Sequence, residues 1–210
     1  MGGGDRLNKL DKVKEYALSK LHTEVTAHDF SHSLRVMKIA NHIGNKMTGD
    51  VDMEIINVAG LTHDIIDKKV APNIEEAIRS LSEELLKIGY TASQMEHVLD
   101  IIQNLSFSSG KTPRTLEGKI VQDADRLEAI GAIAIARTFA YGGRLNRPIY
   151  EEGDKSTGIA HFYDKLLLLK DRMHTEVGKE IALSRHEFMK DYLRQFYKEW
   201  SLEDLEQDNP

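Results

Sequence analysis

Hydrophobic residues recur at intervals of three and four positions along most of the chain, which is the period of an α-helix. The strict alternation typical of β-strands is scarce, and the sequence has only 4 Pro. This pattern predicts an all-α fold. The predicted helices span about 7–21, 29–47, 51–66, 73–89, 93–105, 115–140, 158–176 and 179–200, and the last ten residues form a frayed acidic tail.

Two of the predicted helices are apolar on nearly every face. The helix at 51–66 is therefore predicted to be central and buried. The helix at 115–140 should cross the core, yet it carries charged residues that need partners or a metal ion there, namely Asp123, Asp125, Arg126 and Glu128. The Gly-rich and charged segment 141–157 is the longest predicted loop and a candidate cover for a site.

Length and composition limit the number of domains and the kinds of site that the protein can contain. A chain of 210 residues without a recognisable linker predicts one domain over 1–210. The sequence has no Cys, which excludes a disulfide framework, a thiolate zinc site and a Cys nucleophile. Any metal ion must therefore be held by His and carboxylate side chains.

The first residues, the length of the apolar runs and the net charge indicate where the protein is located and which partners it can bind. The first residues lack the basic and apolar regions of a signal peptide, and no apolar run approaches the roughly 18 residues of a spanning helix. We therefore expect a cytoplasmic protein without a membrane partner. The net charge is −6, with 28 basic and 34 acidic residues interspersed, which disfavours a nucleic-acid partner but is compatible with a small anionic substrate.

The functional site is expected around two adjacent residues, His63 and Asp64, near the end of the predicted helix at 51–66. Adjacent helical residues point about 100° apart, so both side chains near a helix end can bend toward one ion. The alternative is that His63 hydrogen-bonds the free carbonyls of the last turn. On the preceding helix, His32 and Arg35 share a face, although a lone His there is more often a packing residue.

Three stretches of the sequence together resemble the HD-domain phosphohydrolases. They are His28-Asp29-Phe30-Ser31-His32, Ala59-Gly60-Leu61-Thr62-His63-Asp64 and Asp123-Ala124-Asp125-Arg126-Leu127. That family has a His, an adjacent His-Asp pair and a distant Asp on successive helices, and these residues bind a divalent metal. The resemblance covers about residues 25–130 and implies a single-domain helical bundle of the HD-domain type. The C-terminal helices, at about 158–200, would pack on this motif region.

The resemblance implies His32, His63, Asp64 and Asp125 as the metal ligands. Asp123 and Asp125 lie about 200° apart around a helix, so only one of them reaches the ion easily. The family's ligand typically sits in an Ala-Asp followed by a basic or small residue and Leu, which favours Asp125. Asp123 would then form a salt bridge.

A set of two imidazoles and two carboxylates suits one divalent ion, with Mn²⁺ the first choice and Fe²⁺, Co²⁺ or Ni²⁺ as alternatives. Family members with two metals draw extra histidines from the stretch between the His-Asp pair and the last Asp. Here that stretch contains only His97, so one ion is expected.

Five residues besides the metal ligands are candidates for chemistry and substrate binding. Asp67, one turn beyond His63, is predicted to act as the general base, with Lys68 beside it; alternatively Asp67 is a surface carboxylate paired with Lys68 or Lys69. Phosphate oxygens would be held by Arg35, Lys68 and Arg126, although a lone basic residue is more often simply solvated. His28 is placed at the rim of the site.

The resemblance implies a metal-dependent phosphohydrolase that acts on a small nucleotide. The run Ser106-Phe107, the Asp125 motif and Ala136-Arg137 are similar to a bacterial subgroup in which nucleotide pyrophosphohydrolase activity is known. Hydrolysis of a nucleoside triphosphate to monophosphate and pyrophosphate is therefore the first hypothesis. The alternatives are 5′-nucleotidase or phosphodiesterase activity and, in another class, a non-catalytic metal- or nucleotide-binding module. A homodimer is compatible with the sequence.

Overall fold

The computed structural model describes residues 8–21, 29–105 and 112–205, and these residues form helices and no strand. The all-α prediction is confirmed. None of the described helices combines the length and the apolar character that a membrane crossing requires. The α-helices in this part of the chain are α1 Lys9–Leu21, α2 Phe30–Gly44, α3 Met53–Thr62, α4 Ile74–Ile88, α5 Ala92–Gln103, α6 Leu116–Glu128, α7 Ala132–Arg144, α8 Gly158–Asp164 and α9 Glu176–Trp200.

The chain divides into two compact units, Met1–Glu128 and Ala129–Pro210. The first unit contains α1 to α6, and the second contains α7 to α9. The prediction of one domain over 1–210, with the C-terminal helices packed on the motif region, stays a prediction.

Helix α3 is the centre of the first unit and packs against α1, α2, α5 and α6. Asp52 caps its N-terminus by accepting hydrogen bonds from the N–H groups of Glu54 and Ile55, at 3.0 and 3.1 Å. The helix buries side chains on all its faces, as the sequence predicted: Ile55, Ile56, Val58, Ala59, Leu61 and Thr62.

A glycine allows α2 and α3 to approach closely. An added Cβ at Gly60 would lie 3.0 Å from Cα and 3.2 Å from the backbone N of Met37, in α2. Backbone atoms in a packed helix cannot move aside as a flexible side chain can. The position therefore sets the distance between the helix that carries His32 and the segment that carries His63.

The α-helical part of the third predicted helix is shorter than expected. It was predicted to reach about Ile66, but α3 ends at Thr62 and a 3-10 turn spans His63–Ile66. The Thr62 hydroxyl donates to the Val58 carbonyl at 2.8 Å, a local bond that competes with regular helix geometry. The tighter turn closes where Asp67 N–H donates to the Asp64 carbonyl at 3.0 Å.

The prediction of one helix over 115–140 is wrong. Helix α6 ends at Glu128 and α7 begins at Ala132, with Gly131 between them at φ 91°. A side chain rarely adopts this φ, and the stem of Arg185 fills the space that a Cβ would need, at 3.2 Å. The predicted loop 141–157 consequently begins later, because α7 continues to Arg144.

In the second unit, α9 packs against α7 and against a 3-10 helix at Leu166–Arg172. The single helix predicted at 158–176 is therefore wrong as well: α8 ends at Asp164. Leu166 and Leu169 are both buried, and a 3-10 helix with three residues per turn places them on one face. The rings of Phe162 and Tyr192 stack with centroids 6.0 Å apart and join the unit's aromatic core.

We predict that Gly60→Ala destabilises the protein. Overpacking typically costs about 1–3 kcal/mol, while the better helix propensity of Ala returns up to about 1 kcal/mol. The free energy of unfolding should fall by about 1–2 kcal/mol, measured by urea denaturation followed by circular dichroism.

Gly143→Ala is the matched control, since Gly143 is a helical glycine with no atom within 4 Å of its added Cβ in the described structure. This variant should be as stable as the parent or more stable by up to about 1 kcal/mol. A Gly60→Ala protein as stable as the Gly143→Ala protein would show that α2 and α3 can separate without cost.

Candidate metal centre

His32 lies in the first turn of α2 and is 2% exposed. Asp29 caps this helix, because its Oδ1 accepts the backbone N–H of His32 at 2.7 Å. The aspartate of the His28-Asp29 pair is thus a capping residue. This cap fixes the backbone from which the His32 ring projects.

The position of His63 is compatible with both interpretations, a side chain that caps a carbonyl and a metal ligand. Its Nδ1 lies 2.9 Å from the Gly60 carbonyl oxygen, which can only accept, so Nδ1 carries the proton. The Nε2 lone pair then points away from α3 and toward His32, whose Nε2 is 3.3 Å away. The two rings meet edge to face, with centroids 5.2 Å apart. One imidazole therefore caps a carbonyl and still offers a ligand atom.

Two carboxylates complete the cluster. Asp64 Oδ2 lies 3.5 Å from His32 Nε2 and 3.4 Å from His63 Nε2. Asp125 Oδ1 approaches the same two nitrogens, at 3.4 and 3.7 Å. The cluster thus joins α2, the 3-10 turn and α6 around one point. The Asp125 side chain is 35% exposed, whereas the other three are nearly buried, so the cluster opens to solvent on the Asp125 side.

The spacing of these atoms fits a metal ion. Ligands about 2.1 Å from an ion stand about 3.0 Å apart at octahedral angles and about 3.4 Å apart at tetrahedral angles. The two Nε2 atoms lie 3.3 Å apart, and the carboxylate oxygens of Asp64 and Asp125 lie 3.4–3.7 Å from them, at or slightly above this range. His32, His63 and Asp125 by themselves form a group that could hold a metal ion. The nitrogen and oxygen donors fit a first-row divalent ion.

The electrostatics of the cluster also favour a cation. Burial lowers the pKa of His32, but hydrogen bonds to Asp125 and Glu128 and the charge of Asp64 outweigh it and raise the pKa to about 9. Without a metal, this field therefore favours a proton on His32 at neutral pH. A divalent ion must displace this proton to bind, and it would meet the same negative field.

Glu128 is the site residue to which sequence reasoning assigned no role. Its carboxylate is 1% exposed and lies 3.5 Å from His32 Nδ1 and 2.6 Å from Arg35 Nε. Burial alone would raise the pKa of Glu128, but the hydrogen bonds and charges of His32 and Arg35 lower it. The sequence feature that could have identified Glu128 is its position. It lies one turn after Asp125, on a helix that is too apolar to hold an unpaired charge.

The other predicted residues lie in different surroundings. Asp67 follows the 3-10 turn, and its Oδ1 accepts the N–H of Lys69 at 2.8 Å, while Lys68 is exposed. Arg126 and Asp123 are buried in α6. His28 lies outside the described residues.

Comparisons with known proteins agree with this geometry. The model of the HD domain family matches residues 29–130, which contain all four cluster residues. A Bacillus subtilis protein, uncharacterized protein YpgQ, is 37% identical over 197 residues, which cover 92% of this chain and 94% of that protein.

This chain is also similar in fold to solved structures of related proteins. The crystal structure of B. subtilis YpgQ in complex with ADP has a TM-score of 0.79 at 38% identity and covers 90% of this chain and 97% of that one. An HD-superfamily hydrolase from Bacillus thuringiensis has a TM-score of 0.77 at 38% identity, with coverage of 92% and 97%. The chain therefore belongs to the HD domain family of metal-dependent hydrolases.

Proposed function

We propose that the protein is a nucleotide phosphohydrolase that converts a nucleoside triphosphate to the monophosphate and pyrophosphate. The observation that carries this proposal is the convergence of two carboxylates on two imidazoles, each carboxylate within 3.7 Å of both Nε2 atoms, with the cluster open on the Asp125 side. His32, His63, Asp64 and Asp125 would hold one divalent ion, with Mn²⁺ as our first choice. Such an ion would polarise a phosphoryl oxygen and lower the pKa of a coordinated water.

The remaining roles would fall to residues close in sequence to the cluster residues. Asp67 would accept the proton of the attacking water, and its carboxylate is already oriented by the Lys69 N–H bond. Lys68 follows Asp67 directly, is exposed, and would hold phosphate oxygens. Arg35 and Arg126 would add positive charge beside the metal ligands. These local charges must outweigh a net charge of −6, which repels a polyphosphate on average.

A nucleotide is the favoured substrate class because the YpgQ structure, at 38% identity, is a complex with ADP. A nucleoside diphosphate presents phosphates that a metal ion and adjacent basic residues can bind. The step from binding to cleavage at the α-phosphate rests on the resemblance to the pyrophosphohydrolase subgroup.

The deciding experiment is a panel of nucleoside mono-, di- and triphosphates and phosphodiesters with Mn²⁺, in which phosphate and pyrophosphate are measured separately. The proposal requires stoichiometric pyrophosphate from at least one triphosphate. A His63→Ala protein purified in the same way controls for contaminating phosphatases. Release of phosphate from monophosphates alone would indicate a 5′-nucleotidase, and turnover of diesters alone a phosphodiesterase. Nucleotide binding without turnover for any metal would indicate a binding module.

The assignment of Asp125 as a ligand predicts different effects for two aspartates on one helix. Asp125→Asn should remove most of the bound metal and lower kcat at least about 100-fold, because a neutral amide is a weaker ligand. Asp123→Asn is the matched control and should retain metal content, measured by elemental analysis after dialysis. The reverse pattern would move the ligand by two positions along α6.

The role of Asp67 predicts a loss of rate without a loss of metal. In Asp67→Asn the Oδ1 atom can still accept the Lys69 N–H, so the local backbone is preserved. We expect kcat to fall by roughly 10²- to 10⁴-fold with little change in metal content. Asp154→Asn is the control, because Asp154 Oδ1 accepts the N–H of Ser156 in the same way. An unchanged kcat in Asp67→Asn would reduce Asp67 to a turn residue.

The role of Lys68 predicts an effect on substrate binding. A charged hydrogen bond to phosphate is worth roughly 1.5–3 kcal/mol, so Lys68→Met should raise KM for the triphosphate by about 10- to 100-fold. Lys46→Met removes the same charge from an exposed site beyond the end of α2 and should leave KM unchanged. Equal effects of the two variants would show that only the overall charge of the protein matters.

A further inference from the structure

Glu128 is a carboxylate buried between two side chains of another helix. It comes from the last residue of α6, and it contacts His32 and Arg35, which lie one turn apart on α2. Its Oε2 accepts the Arg35 Nε–H at 2.6 Å and lies 3.5 Å from His32 Nδ1. One carboxylate oxygen thus faces both partners.

A carboxylate that is 1% exposed loses nearly all its hydration, and such a charge persists in a protein only with compensating partners. Arg35 supplies a full positive charge, which keeps Glu128 anionic. An anionic carboxylate is an acceptor only, so the proton of a neutral His32 belongs on Nδ1. The His32 Nε2 lone pair then faces His63, Asp64 and Asp125.

The two histidines of the cluster are oriented in different ways. His63 Nδ1 donates to the Gly60 carbonyl, three residues earlier in the same segment. His32 contacts a side chain 96 residues away in sequence, on a different helix. The His63 ring is therefore fixed by local structure, whereas the His32 ring depends on how α6 packs against α2.

We propose that Glu128 is the positioning residue of His32, and that Arg35 holds Glu128 in place, so that this pair sets the affinity of the metal site. The proposal rests on the proposed function in one respect, that His32 is a metal ligand. Carboxylates that hydrogen-bond a ligating imidazole orient its ring, and their loss typically weakens metal binding 10- to 100-fold.

The proposal also changes the role of Arg35. Its Nε is used by Glu128, and the side chain is still 34% exposed. Arg35 therefore acts on metal binding before any phosphate arrives. Lys68, which is exposed beyond the 3-10 turn, should act on the nucleotide alone.

The test measures metal affinity with no nucleotide present. Co²⁺ is titrated into the metal-free protein and followed by its visible absorption, in competition with a chelator. We expect Glu128→Gln to bind Co²⁺ about 10- to 100-fold more weakly than the parent and with an altered spectrum. Arg35→Met should weaken binding several-fold, and Lys68→Met should not change it.

Glu117→Gln is the matched control. Glu117 lies on the same helix, and its Oε2 is 3.8 Å from another histidine, His97 Nε2. This variant should bind Co²⁺ as the parent does. In a protein that already carries Glu128→Gln, the further substitution Arg35→Met should weaken Co²⁺ binding by less than twofold. The reason is that the two residues act through one contact.

Thermal melts with chelator present establish that each variant is folded. If Glu128→Gln does not fold, Glu128→Asp replaces it, and its shorter carboxylate should bind Co²⁺ more weakly than the parent. Folded Glu128→Gln and Glu128→Asp proteins that bind Co²⁺ within twofold of the parent would overturn the positioning role and leave the proposed function intact. A parent protein that binds no Co²⁺, Mn²⁺ or Ni²⁺ would overturn both.

Discussion

The close packing of α2 against α3 is the constraint on which the candidate metal centre depends. Gly60 lets the two backbones approach until a methyl group would touch Met37, and the same residue offers its carbonyl to His63. His32 and His63 can face each other at 3.3 Å only because these two segments are held at this distance. Packing of apolar helices thus determines the geometry of a polar site.

Charge inside this core is arranged in pairs. Asp125 faces the two imidazoles, and Glu128 joins His32 to Arg35. These charged groups thereby each have an opposite or titratable neighbour, as desolvation requires. Without a metal, a proton on His32 keeps the balance, since carboxylates on three sides raise its pKa to about 9. A divalent ion adds more charge than the proton it displaces, so the same surroundings suit it better.

The sequence predicted the features that depend on local pattern. Helical periodicity gave the all-α class and the buried helix α3, and the spaced His and Asp residues indicated the family. Features that depend on tertiary contacts were not predicted from the sequence. The break at Gly131 follows from a positive φ that is enforced by the Arg185 stem, and the 3-10 helix at 166–172 follows from which leucines are buried. The spacing of apolar residues predicts neither the break at Gly131 nor the 3-10 helix.

The same distinction applies within the site. The alternatives for His63, a capping side chain or a ligand, were treated as exclusive, yet an imidazole has two nitrogens and the structure uses them separately. The local motif suggested each use but not their combination, which requires His32 to lie opposite. Glu128 could not be assigned from the motif because its partners lie on α2, more than 90 residues earlier. Candidate ligands can thus be proposed from motifs that resemble those of a family, whereas the residues that orient them become visible only when the helices are packed.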